Sequence, residues 1–204
     1  TDSTKKIFLN TKFVCGRDSK IISNSQNLRG DNVRNKNEFL LVGDGASARN
    51  SEILFGNSKQ RFDITTDVKS VGKSTTGETF TKGVFAENSR GIIKGKLIVE
   101  KGAEKSNSYL SQHGMLIGKK SEANTVPCLE ILEEDVIRAT HSASVARIDD
   151  EQIFYLMSRG LSESDAKNLI MLAFLSGNIK SLDEKRREDI AEIISRKLGE
   201  NVAS

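Results

Sequence analysis

Two hydrophobic periodicities divide the chain. Up to Val145, apolar residues come in short runs, such as Phe39-Leu-Leu-Val42, Ile53-Leu-Phe55, Leu97-Ile-Val99 and Met115-Leu-Ile117, separated by Gly, Asn, Ser and Lys. Such runs read as short strands between turns. After Ile148 the spacing lengthens. Asp149 or Asp150 is placed to accept hydrogen bonds from a first helical turn, Ile153, Phe154 and Met157 fall on one face, and Gly160 supplies a left-handed end. This assigns Phe154 to the core of the helical part. A second helix begins at Ser162, with Asp165 three residues on as a weak capping box, an apolar stripe of Ala166, Leu169, Ile170, Ala173 and Phe174, and a stop at Gly177. A third helical segment over 178–204 aligns Ile190, Ile193, Ile194 and Leu198 against a charged face.

Within the strand-like part, Lys6–Cys15 is one run, and the polar stretch Ser19–Asn37 that follows reads as a loop. Leu97, Leu116 and Val136 each open an apolar run that leads into a small-residue turn, with 19 residues from the first to the second and 20 from the second to the third. A repeat of about 20 residues, each holding two or three short strands, points to stacked coils of a solenoid. An antiparallel sandwich is the competitor, but it should show Asn-Gly or Asp-Gly hairpin turns, and Asp44-Gly45 is the only such pair. The expectation is a mainly β chain, a parallel β-helix followed by a small C-terminal α-helical domain. The boundaries are 1–37 for an irregular segment with one strand, 38–146 for the β-helix core and 147–204 for the helices.

Composition narrows the function. At 204 residues with 36% apolar and 29% charged residues, the chain has no membrane span; its longest apolar-rich run is Leu169–Leu175. Thr1–Asn10 lacks the apolar stretch of a secretion signal, and the chain opens on Thr, as a piece of a longer protein would. The net charge of +3 comes from 31 basic and 28 acidic residues interspersed along the chain, with 5% aromatics and no Trp, which argues against nucleic acid as a partner. Two cysteines, Cys15 and Cys128, fit a reducing compartment, so a cytoplasmic location is expected.

His113, His141, Cys15 and Cys128 are the soft metal ligands, and none has CxxC or HxxxH spacing. On an extended Val136–Val145, His141 shares a face with Ile137, Ala139, Ala143 and Val145. It is either a packed histidine stacked in the coil or one held at the end of the solenoid for a ligand or a partner. Cys128 alternates with Leu129 and reads as a small packing residue. No Gly-x-Ser-x-Gly elbow and no phosphate-binding glycine loop occurs, so if the function requires ATP a partner must supply it. A carbohydrate-active β-helix is opposed by the lack of Trp and the presence of only Tyr109 and Tyr155; a metal-free structural solenoid stays open.

Thr140-His-Ser-Ala-Ser144 and Arg147-Ile-Asp-Asp-Glu-Gln-Ile-Phe-Tyr-Leu-Met-Ser-Arg-Gly160, with Met115-Leu-Ile-Gly118 and Pro127-Cys-Leu-Glu-Ile131 upstream, resemble the carboxy-terminal part of the SufB/SufD family of SUF iron–sulfur cluster assembly scaffolds. The resemblance covers about 37–174. It implies a right-handed parallel β-helix that pairs with a second SufB/SufD-type subunit, homo- or heterodimeric, and a helical domain that docks the SufC ATPase through the region of Phe154, Tyr155, Arg159, Gly160 and Phe174. It implies that His141 takes part in holding a transient iron–sulfur cluster shared with the partner; His113 and Cys128, as further soft ligands of the chain, are secondary candidates for the same role. Where SufB carries a Cys and a Glu, this chain has Gln112 and Ser142, which is closer to SufD.

Overall fold

A computed structural model describes residues 5–180 and 182–199, with the backbone alone at 198 and 199. Among them, ten strands and three helices follow in order: β1 (Lys6–Cys15), β2 (Lys20–Asn27), β3 (Asn32–Leu41), β4 (Ser47–Gly56), β5 (Arg61–Ser70), β6 (Thr76–Phe85), β7 (Arg90–Val99), β8 (Ser106–Leu116), β9 (Glu122–Ile131), β10 (Val136–Arg147), α1 (Asp150–Ser158), α2 (Glu163–Ile179) and α3 (Glu184–Gly199). The odd strands form one parallel sheet in the order β1-β3-β5-β7-β9, and the even strands a second in the order β10-β8-β6-β4-β2. Each coil therefore contributes one strand to each wall, and about five coils stack into a parallel β-helix.

Register sets the coil length. Asn35 pairs with Ile64 and Ile64 with Ile93, 29 residues apart each time, while Thr79 pairs with Leu110 and Leu110 with His141, 31 apart. The expected repeat of about 20 residues is thus corrected. Leu97 lies in β7 of one sheet, whereas Leu116 and Val136 occupy opposite ends of neighbouring strands in the other, so their spacing joins non-equivalent positions.

The corners explain the small residues between runs. Asp18, Gly45, Ser74 and Lys105 occupy the same corner of successive coils, each with a positive φ, of 54°, 70°, 54° and 57°. Serine hydroxyls close several corners by donating to the carbonyl three residues back: Ser19 to Gly16, Ser106 to Ala103, Ser89 to Ala86 and Ser121 to Gly118. Such side-chain bonds supply partners for backbone groups that leave one sheet before entering the next.

The stretch expected as a loop, Ser19–Asn37, instead forms β2 and the first half of β3. Its polarity is not a surface pattern. Asn27, Asn35 and Asn37 are buried, and Asn27 and Asn35 both donate to a carboxylate inside the coil. Elsewhere the lumen is filled by two apolar clusters. One contains Phe39, Leu41, Val68, Leu97 and Leu110, the other Leu54, Phe62, Ile64, Phe85 and Ile93.

The helices cover the outer face of the even sheet. Ile53, Phe55 and Val84 pack there against Met171, Leu175 and Ile179 of α2 and Ile190 and Ile194 of α3. This face of α2 is rotated from the expected stripe, and Leu169 is about half exposed. The run Leu169-Ile-Met-Leu-Ala-Phe-Leu175 is apolar on all sides, so its periodicity could not choose a face. Gly177 does not stop the helix. Asn178 donates from Nδ2 to the carbonyls of Glu52 and Phe80 at 3.0 and 2.8 Å, tying the next turn to the sheet. In α1, the Asp149 side chain accepts from the Glu151 amide, Gly160 follows at φ 96°, and Ile153 is buried as expected. Phe154 is not in the core: it is 73% exposed, because a single short helix packed on α2 buries one side only. Leu198, expected on the apolar face of α3, lies outside the described side chains.

Leu175→Ala should destabilise the fold by about 2–5 kcal/mol, the cost of truncating a fully buried leucine. Phe154→Asp should shift stability by no more than about 0.5 kcal/mol, as exposed positions do. Urea unfolding followed by circular dichroism separates the two, and equal losses would refute the burial described for α1.

Candidate functional site

The last coil is open. β10 pairs only with β8 and β9 only with β7, so both sheets end on free edges there. His141 faces along the lumen row: it pairs with Leu110, which is fully buried one coil deeper, whereas His141 itself is exposed because no further coil covers it. Ala139 and Ala143 flank it on the same face of β10. Around this end, Val126, Ile131, Leu132 and Ile137 are exposed apolar residues, Ile137 at 70%.

His113 and Cys128 are not brought to His141. His113 lies in β8 on the outer face, where its Nδ1 is 2.7 Å from Ser144 Oγ. Burial, and secondarily the charge of Lys82 beside it, pushes the His113 pKa down and favours the neutral ring. Lys82 is itself shifted downward by burial; its Nζ donates to the Phe174 carbonyl at 2.6 Å and lies 4.9 Å from that ring. Cys128 is an exposed thiol on β9 of the opposite sheet, in register with Lys96. Among the described residues, no group of three or more His, Cys, Asp or Glu side chains is placed to hold a metal ion. The chain thus offers one exposed imidazole at the open end and, within the described residues, no complete ligand set.

The helical residues singled out from the sequence divide in two. Phe154 and Tyr155 are exposed, together with Met157 and Leu169, and the Arg159 guanidinium lies 5.3 Å from the Tyr155 ring. Phe174 instead turns toward the sheet and packs against the α2–α3 core.

Sequence reasoning missed the buried carboxyl of Glu52. Its side chain is fully enclosed in the lumen and accepts from Asn27 Nδ2 at 2.8 Å, Asn35 Nδ2 at 2.9 Å and Thr66 Oγ1 at 3.2 Å. Desolvation dominates over these three donors, and the pKa is pushed up to about 7. A single Glu ahead of Ile53-Leu-Phe55 looks like the polar edge of an apolar run, so only the asparagines in the supposed loop hinted that a partner was needed.

The family described as "SUF system FeS cluster assembly, SufBD core domain" matches residues 2–174. A parallel β-helix flanked by helices is thus the core of a SUF-system assembly protein, and the chain belongs to the SufBD family. It is 30% identical to the iron–sulfur cluster assembly protein SufD of Bacillus subtilis over 90% of this chain and 42% of that protein. With SufD of Escherichia coli it shares 29% over 94% of this chain and 45% of the relative, and with a SufBD family protein of Pyrococcus horikoshii 27% over 90% and 41%. The chain spans less than half the length of these relatives. Proteins named SufD stand among its relatives, in keeping with a chain closer to SufD. No helix of the described residues is long and apolar enough to cross a membrane.

Because the folded-state pKa of Glu52 lies above the ordinary 4.5, its proton stabilises the fold fully below about pH 4.5, and that contribution is lost as pH rises through about 7. The groups facing it are neutral amides and hydroxyls. Stability should therefore fall by up to about 3 kcal/mol between pH 5 and 8 on account of this residue, and Glu52→Gln should flatten that part of the profile. Parallel profiles for the two proteins in denaturant unfolding would contradict the assignment.

Proposed function

We propose that this chain is the scaffold portion of a SUF iron–sulfur cluster assembly subunit, SufD-like, that pairs with a SufB- or SufD-type subunit through the open end of its β-helix. The observation that carries this reading is the uncovered last coil, with His141 in the lumen row and exposed apolar residues around it. Free parallel edges invite pairing with another chain, and a second subunit seated there closes the lumen and places its own ligands opposite the imidazole. Neutral imidazole is a suitable ligand for iron. The cluster is cargo, held transiently by His141 together with groups of the partner, while His113 on β8 and Cys128 on β9 face outward from the coil.

The helical segment 147–204 serves as the docking domain for a SufC-type ATPase, which supplies the ATP hydrolysis that this chain has no loop to perform. Phe154, Tyr155 and Met157 form the apolar contact, Arg159 beside Tyr155 contributes charge, Gly160 shapes the turn, and Phe174 braces α2 from beneath. Aromatic and arginine side chains exposed together are typical anchors of a protein interface. The assembly operates in the cytoplasm, without nucleic acid or membrane as a partner.

In the reconstituted complex with its scaffold and ATPase partners, His141→Ala should fold normally and lose most iron and sulfide loading. Loading equal to wild type would remove His141 from the site. Phe154→Asp should weaken ATPase association at least about tenfold, as loss of an interface anchor does, with an unchanged melting curve; undiminished association in a pull-down titration would place the docking surface elsewhere.

A further inference from the structure

A row of lumen side chains continues inward from the open end. Glu52, Thr81, Gln112 and Ala143 stand one behind another on β4, β6, β8 and β10, each in register with the next. Neighbouring strands lie about 4.8 Å apart, so the row steps from an enclosed carboxyl to the uncovered last coil. Thr81 and Gln112 are as buried as Glu52, at 1% and 0% exposure. Yet Thr81 Oγ1 and both amide atoms of Gln112 have no hydrogen-bond partner among the described residues, and Asn50 Oδ1 and Asn37 Nδ2 nearby have none either. The Gln112 amide reaches across to the opposite sheet, where a Cβ built on Gly95 would lie 2.7 Å from its Nε2. Glycine there leaves room for the polar head.

Buried polar groups are nearly always partnered, and where protein atoms do not serve, ordered water does, commonly with about three hydrogen bonds each. We propose that water threads this row as a hydrogen-bonded file, and that the file is a proton path joining the Glu52 carboxyl to the open end beside Ala143 and His141. Each water accepts one proton and releases another, so only a proton moves. Thr81 Oγ1 both donates and accepts, and Gln112 accepts at Oε1 and donates from Nε2, which lets both stand in the chain of bonds. When the proton has left, the carboxylate keeps its bonds from Asn27, Asn35 and Thr66. The rows facing it from β2, β3, β5 and β6 present Ser25, Asn27, Asn35, Thr66, Thr79 and Thr81, none of them ionisable, and Lys82 and His113 point outward toward α2 and Ser144. Glu52 is therefore the proton acceptor of this path, with an affinity that suits neutral pH. Under the scaffold reading, such an acceptor would take the proton that hydrosulfide must lose on becoming cluster sulfide. That use rests on the scaffold reading; the path itself does not.

The test uses the chain alone, without metal or partner, so that its failure is distinct from failure of the scaffold reading. Carbon-13 NMR of labelled glutamate follows the Glu52 carboxyl against pH, and water–protein cross-peaks probe the Gln112 amide and the Thr81 side chain. The expected result is a reversible titration near neutral pH with long-lived water beside Thr81 and Gln112. In the near-isosteric variants Thr81→Val and Gln112→Leu, the water cross-peaks should vanish and proton exchange at Glu52 should slow about tenfold, as loss of a hydrogen-bonded link implies. A Glu52 carboxyl that keeps one state from pH 5 to 9, an absence of water at Gln112, or unchanged exchange in both folded variants would overturn the proposal.

Discussion

Parallel register is the constraint on which this molecule depends. Strands stacked one coil apart place equivalent residues directly over one another, so every inward position must suit the same position in the coils on either side. The rows Phe39-Val68-Leu97-Leu129 and Val33-Phe62-Gly91-Ala123 satisfy this with apolar side chains that fill a narrow lumen. Where a row is polar it must be polar in company, and Asn27, Asn35, Thr66 and Glu52 meet inside the first three coils for that reason. The same stacking on the outer faces places opposite charges beside one another, as in Arg34–Asp63–Lys94 and Arg49–Glu78–Arg138. Exposed pairs of this kind contribute little each and serve mainly to keep like charges apart along the stack.

A stack of this kind has two ends, and at β9 and β10 the stacking stops in the open. Through the middle coils, each strand is covered on both sides and the outer face of the even sheet is sealed by α2 and α3. At β9 and β10 the rows run out into solvent, and the residue that reaches the opening in the Leu110 row is a histidine. The helices perform a second task. They protect one flank of the solenoid and leave Phe154, Tyr155 and Met157 uncovered on their far side. In the proposed assembly, one surface receives a chain that continues the coil and a separate one receives a partner that binds helices.

The parts of this architecture legible in the sequence are those where pattern and environment agree. Lys6–Cys15, the caps at Asp149 and Ser162, and the left-handed Gly160 follow from local chemistry alone. The coil length was misjudged because apolar runs occur on both sheets and were matched across them. The tetrads Gly16–Ser19, Gly43–Ala46, Gly72–Thr75 and Ala103–Ser106 mark a single corner and recur at 27, 29 and 31 residues, a signal of small residues rather than hydrophobic ones. β2 was hidden because its inward residues are polar, and Phe154 was misplaced because a helix that buries one side still shows apolar residues on another. His141 was legible as a candidate, although only the register shows that it stands at an open end. Glu52 was not, since nothing local distinguishes a carboxylate that points into a lumen from one that points to water.

The central claim is that the uncovered last coil is the face that receives the second scaffold subunit. Hydrogen–deuterium exchange of this chain, alone and with a SufB-type subunit, tests it most directly. The account predicts strong new protection of backbone amides in β9 and β10 around His141, with β1 and β2 unchanged. Protection confined to β1 and β2 or to the outer face of the odd sheet, with the β10 amides still exchanging as in the free chain, would contradict it.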